Sequence, residues 1–149
     1  MKKAIDKPEV EVVQCKTIEE LVTNSEIICT ATPSKKPVLP DDSKMLEGKC
    51  IVAIGSYTPQ MREIPNAIWE LVDHVYIELP YACEESGDLS QPLTDGILKE
   101  EQTVLMDQFL ASGADEEEIT KKPTYFKSVG MGLFDVCIAQ KLLEQAKER

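Results

Sequence analysis

The chain has 149 residues, 42% of them hydrophobic and 29% charged, with a net charge of -11. That balance fits one folded domain over residues 1–149 and excludes a disordered tail, and the acidity excludes a nucleic-acid partner, which demands a basic stripe. No apolar run approaches the roughly 20 residues needed to cross a bilayer, and Met1 to Asp6 lack the apolar stretch of a secretion signal, so a cytoplasmic protein without membrane contact is expected.

In chain order, the first apolar run is Val10 to Val13, expected as a short strand. Thr17 followed by Glu20 forms a capping box, with Ile18, Leu21 and Val22 on one helical face before Asn24. Ile27 to Ala31 has almost no polar alternation, as in a parallel strand covered on both faces, and Pro33, Pro37 and Pro40 then break regular structure. Cys50 to Ile54 is the next strand. Pro65 suits the first turn of a helix whose Ile64, Ile68, Leu71 and Val72 share a stripe, and Trp69 is read as packing. Val75 to Leu79 is a further strand.

The stretch from Ser86 to Lys122 is less legible, with Gly87-Asp88, Pro92, a helix expected around Glu100 to Leu110 and a polar loop from Ser112 to Lys122. Tyr125 to Val129 is the last strand. Leu133, Val136, Cys137 and Leu143 then outline an amphipathic helix to about Lys147 that must cover something apolar. Strands alternating with helices predict an α/β fold, a mostly parallel sheet with flanking helices and a C-terminal helix.

Chemistry-bearing residues are sparse. The cysteines at 15, 29, 50, 83 and 137 show no C-x-x-C spacing and His74 is the only histidine, so reduced packing thiols are expected, with no disulfide framework and no metal site. Seven glycines, at 48, 55, 87, 96, 113, 130 and 132, form no G-x-G-x-x-G turn for a dinucleotide pyrophosphate.

Four segments carry a resemblance: ATPSKKPVL at Ala31 to Leu39, GSYTPQMREIP at Gly55 to Pro65, VYIELPYACEESGD at Val75 to Asp88 and FKSVGMGLFDV at Phe126 to Val136. In this order and spacing they resemble the ornithine cyclodeaminase and mu-crystallin family, over about Val10 to Ala146. The resemblance implies NAD(P)-dependent chemistry on amino acids or cyclic imines, in homodimers that pair a substrate-binding domain with a Rossmann domain. It also implies that this chain corresponds to a C-terminal half, a partial Rossmann-like domain without the glycine fingerprint or the N-terminal substrate-binding residues.

Position by position, the resemblance places Thr30, Ala31 and Thr32 beside the adenosine or ribose part of the cofactor. It puts Gly55 and Ser56 against the nicotinamide and its carboxamide, and Ser128 and Val129 near the same ring. From the residues alone, Gly55 also fits a tight turn and Ser128 a helix cap. Imine reduction needs a hydride donor and an acid that keeps the nitrogen protonated. Glu78 and Asp88 are the candidate catalytic carboxylates, with purely structural roles open for both.

The cyclodeaminases resemble this chain except that they carry an aspartate where Tyr57 stands. A phenol is a poor base near neutral pH, which favours reduction of a ketimine or pyrroline carboxylate as the parental activity. Cyclodeaminase or amino-acid dehydrogenase activity with a separate N-terminal half, and a non-enzymatic relic, are the alternatives, and the isolated chain is expected to be inactive.

In the usual strand order, Ile27 to Ala31 would pair with a first strand that this sequence lacks. The exposed edge is expected to be covered by Val10 to Val13, by a second copy in a homo-oligomer, or by a polypeptide carrying the missing half. The choice between NAD and NADP stays open.

Overall fold

The computed structural model describes residues 11–112 and 122–147. It is an α/β fold with five parallel strands: β1 (Ile27–Thr30), β2 (Cys50–Ala53), β3 (Val75–Ile77), β4 (Thr103–Leu105) and β5 (Thr124–Lys127), in the order β1-β2-β5-β3-β4. The last strand in sequence inserts at the centre.

Helix α1 (Ile18–Thr23) starts as its sequence dictates, with Thr17 Oγ1 accepting from Glu20 N at 3.1 Å. The Glu20 carboxylate returns to Lys16 N at 2.8 Å, one residue before the position a capping box uses. Val22 is fully buried beneath this helix. Asp42 caps the short α2 (Ser43–Leu46), which buries Leu46.

Register explains the core. Because partners in parallel strands share a face, Ile28, Ile51, Tyr125 and Val75 form one row across the sheet, and Thr30, Ala53, Lys127 and Ile77 form the next. All eight are buried. Ile64, Ile68, Val72 and Leu89 complete the apolar layer, and Trp69 meets Tyr125 edge-on with ring centroids 5.1 Å apart, a packing role.

Several expected elements differ. β1 is not covered on both faces: Ile28 and Thr30 are buried, while Ile27 and Cys29 are exposed, because only the side of Ile28 faces the core cluster with Val22, Leu39 and Leu46. Glu11 to Val13 form no strand, Val13 being 69% exposed, and Val10 lies outside the described residues. Among the described residues β1 therefore pairs only with β2.

The helix after Pro65 is a 3-10 helix, Asn66–Glu70, with Pro65 at its cap position and Asp41 Oδ1 accepting from Ala67 N at 2.8 Å. The helix expected over Glu100 to Leu110 divides into a 3-10 turn at Glu100–Gln102, β4, and a helix at Met106–Ser112, because pairing with β3 overrides local helix propensity. Most of the expected Ser112 to Lys122 loop lies outside the described residues.

Between β3 and β4 run α3 (Ala82–Glu85) and α4 (Gly87–Thr94), which sandwich Ser86. Met106–Ser112 is α5, and its Phe109 meets Tyr76 at 4.8 Å on the sheet's second face. The C-terminal helix, α6 (Gly132–Lys147), buries none of its side chains: Leu133, Val136, Ile138, Leu142 and Leu143 are all exposed. Helical periodicity specified that the helix forms, not where it docks. No helix among the described residues is long and apolar enough to cross a membrane.

Candidate functional site

Parallel strands end together, so the residues just beyond β1, β2, β3 and β5 converge on the carboxyl edge of the sheet, where open α/β sheets place their ligands. Three buried carboxylates organise that edge.

The first is Glu63, fully buried and absent from the residues singled out by sequence. Its Oε2 accepts from Thr30 Oγ1 at 2.9 Å and Gly55 N at 2.8 Å, and its Oε1 accepts from Thr32 N at 2.5 Å. One side chain thus joins the ends of β1 and β2. Gly55 is required by the same contact: a Cβ there would stand 2.3 Å from both Thr32 N and Thr32 O and 2.6 Å from the Glu63 carboxyl carbon. Its missing side chain makes room for the protein itself, which differs from the sequence expectation of room for a ring.

The second is Glu78, directly after β3 and only 7% exposed. Its Oε1 accepts from the Ser128 hydroxyl and from Gly130 N at 3.3 Å, and its Oε2 from Val129 N at 3.2 Å. These donors fasten the loop after β5. Each of these contacts is an acceptor contact, so the carboxylate ties the end of β3 to the loop after β5.

The third is Asp88, fully buried at the start of α4. Its Oδ1 accepts from Glu63 N at 2.6 Å and Ile64 N at 3.0 Å, while Oδ2 stands 3.6 Å from Lys127 Nζ. Lys127 is also completely buried, and among the described residues neither Nζ nor Oδ2 has a hydrogen-bond partner. Burial pushes the Asp88 carboxyl up from its ordinary value, opposed by the Glu63 amide and the Lys127 ammonium. Burial likewise pushes Lys127 down, opposed chiefly by Asp88 and Glu63. Both shifts favour the neutral forms, as expected for a pair taken out of water at a separation beyond hydrogen bonding. Sealed in this way, Asp88 does not face the crevice.

Ser56 is fully buried as well, its hydroxyl donating to Met61 O at 2.8 Å and accepting from Ser86 Oγ at 2.9 Å. It is turned into the protein, away from the expected carboxamide contact. Ala31 and Thr32 remain exposed, and Ser128 and Val129 are half-buried, so these four form the accessible wall. Tyr57, 51% exposed, lines a shallow cavity with Thr58, Pro59, Tyr81, Glu84 and Glu85. Among the described residues no cluster of histidine, cysteine and carboxylates is arranged to hold a metal.

A model of the ornithine cyclodeaminase/mu-crystallin family matches residues 1–149. The chain belongs to this family. Delta(1)-pyrroline-2-carboxylate reductase of Bacillus cereus is 32% identical over 132 residues, 87% of this chain and 40% of that protein. Ketimine reductase mu-crystallin of Rattus norvegicus is 29% identical over 126 residues, 85% of this chain and 37% of that protein. Among solved structures, Thermococcus litoralis Delta(1)-pyrroline-2-carboxylate reductase in complex with NADH and L-proline superposes with a TM-score of 0.77 at 24% identity, over 90% of this chain and 42% of that one, and shares the Rossmann-like fold. The chain spans 37% to 40% of the length of these two curated relatives.

Glu63 and Lys127 were missed in the sequence although both lie inside recognised motifs. Lys127 carried a usable signal: it follows Tyr125 by two, so a strand burying one forces the other into the same layer.

Proposed function

We propose that this chain forms the nicotinamide-facing wall of an NAD(P)-dependent reductase of cyclic imines, either a pyrroline carboxylate or a related ketimine. The observation that carries this is the gathering of Thr30 to Thr32, Gly55, Ser128 and Val129 at the carboxyl edge of one parallel sheet, in a chain 32% identical to a pyrroline-2-carboxylate reductase. The accessible residues suit the ring and ribose end of a dinucleotide: Ala31 and Thr32 border one side, Ser128 and Val129 the other.

The residues of this wall would hold a nicotinamide, whose chemistry when bound would be hydride donation to an imine carbon. The chain's own part is to orient that ring, with Glu78 holding the loop of Ser128 and Val129, and Asp88 supporting Glu63. Both carboxylates act through the segments they hold, and the proton on the imine nitrogen is maintained by another group. Tyr57, in place of the cyclodeaminase aspartate implied by the resemblance, favours reduction over deamination. Turnover needs the phosphate-binding and substrate-binding parts that relatives supply, so the isolated chain binds NADH weakly and is inactive alone, and the complete enzyme is a homodimer.

A chimera tests this directly. Replacing the matching 40% of the Bacillus cereus reductase with this chain should preserve NADH oxidation driven by Delta(1)-pyrroline-2-carboxylate. A folded chimera that binds NADH without reducing cyclic imines overturns the proposal.

A further inference from the structure

We infer that Glu63 is a positioning residue that sets the spacing between the ends of β1 and β2, and so the shape of the wall facing the cofactor; this rests on the dinucleotide reading above. Its carboxylate receives three donors from two strand ends: Thr30 Oγ1 at 2.9 Å and Thr32 N at 2.5 Å from β1, and Gly55 N at 2.8 Å from β2. β1 and β2 already pair along Ile27 to Thr30 and Cys50 to Ala53, and Ile54 N reaches Thr30 O at 2.8 Å, so the ladder is complete without Glu63. The carboxylate acts at the last ladder residue, Thr30, and just beyond it at Thr32 and Gly55, where the two segments leave the sheet.

Two further features fit positioning better than general support. The contact forces a glycine at position 55, since any Cβ would strike the Thr32 backbone, which fixes how closely the two loops approach. Glu63 is itself held from behind, its own N–H bonded to Asp88 Oδ1 at 2.6 Å, with Asp88 Oδ2 near Lys127 of β5. A buried carboxyl group must have its oxygens satisfied by donors, and here the donors are the backbone and hydroxyl of the wall itself. A neutral amide of the same shape loses one acceptor and turns an N–H toward a donor.

The test is amide hydrogen exchange of the chain as it stands, comparing wild type with Glu63→Gln and Glu63→Asp. The Gln variant changes the chemistry at constant shape, and the shorter Asp variant keeps the charge while drawing it back from Thr32 and Gly55. Exchange at Thr32 and Gly55 should rise about tenfold or more in either variant. Exchange at Cys50, bonded to Glu26 O at the opposite end of the same two strands, should stay within about twofold.

A uniform rise at all three amides overturns positioning in favour of general stability, and no rise at Thr32 and Gly55 overturns it outright. If the Gln variant does not fold, the Asp variant decides alone. An NADH titration separates the two levels: failure of the wild type to bind contradicts the dinucleotide reading, while exchange still decides the role of Glu63. Where the wild type binds, equal affinity in the Asp variant overturns the link between this spacing and the cofactor.

Discussion

The two faces of the sheet are built from alternate residues of the same strands, and they differ in kind. One face seals Ile51, Tyr125, Val75 and Ile77 under helices and, at its carboxyl end, buries Lys127 with Asp88 and Glu63 nearby. The other presents Cys29, Val52, Phe126 and Tyr76 in a row that is half-buried at most, and α6 has no buried side chain. The sealed face thus holds both the apolar core and the buried polar frame of the crevice, whereas the second face is half-open and meets α5 through the Phe109–Tyr76 contact. Burial is what gives a charged residue leverage over its neighbours, because a buried carboxylate must be satisfied and its donors become fixed.

The sharpest way to break this contrast is at glycine. Gly55→Ala sets a methyl against the Thr32 backbone and should cost about 3 kcal/mol or more, since backbone atoms have no rotamer to yield. Gly132→Ala, at the start of α6 with nothing within 4 Å of its added Cβ, should be neutral or stabilise by up to about 0.5 kcal/mol. Urea denaturation of both variants measures the difference.

Neighbouring strand residues sharpen it next. Ile51→Ala, on the sealed face, should cost about 3 kcal/mol, and Val52→Ala, on the other, about 1 kcal/mol or less. Equal losses would mean that the second face is packed as tightly as the first.

The buried Asp88–Lys127 pair gives a smaller, pH-dependent effect. Burial raises the Asp88 carboxyl above its usual 3.8, so between that value and its folded pKa the folded chain keeps a proton that the unfolded chain has released. Its contribution is fully present below 3.8 and is lost as pH rises through the folded pKa. The stability of wild type relative to Asp88→Asn, followed by urea midpoints from below pH 3.8 upward, should therefore decline as pH rises. A constant difference would contradict the raised carboxyl.

The smallest effect is expected on α6, where Leu142→Ala should change stability by less than about 0.5 kcal/mol. A loss above 1 kcal/mol would show that this helix docks on the fold.

Much of this was legible in the sequence. Turn residues bounding apolar runs gave β1, β2, β3 and β5 to within two residues, and Thr17 gave the start of α1, because both signals are local. β4 was hidden: Thr103 to Leu105 reads equally as part of a helix, and its strand character comes from β3 beside it. Glu63 was hidden for a related reason, since its partners lie 8 to 33 positions away and no spacing rule joins them. The resemblance named the segments that meet at the carboxyl edge, while the roles of Gly55, Ser56 and Asp88 within them depend on which way each faces. Alternation along β1 was obscured because Ile27 and Cys29, although exposed, are as apolar as the residues they alternate with.

The most direct measurement is the amide spectrum of the chain titrated to about millimolar NADH, a range suited to weak binding. Shifts concentrated at Thr32, Gly55, Ser128 and Val129, with Cys50 and Thr124 at the opposite ends of the strands unmoved, are the expected result. Shifts at those opposite ends or along α6, or none anywhere, would contradict a cofactor wall at the carboxyl edge of this sheet.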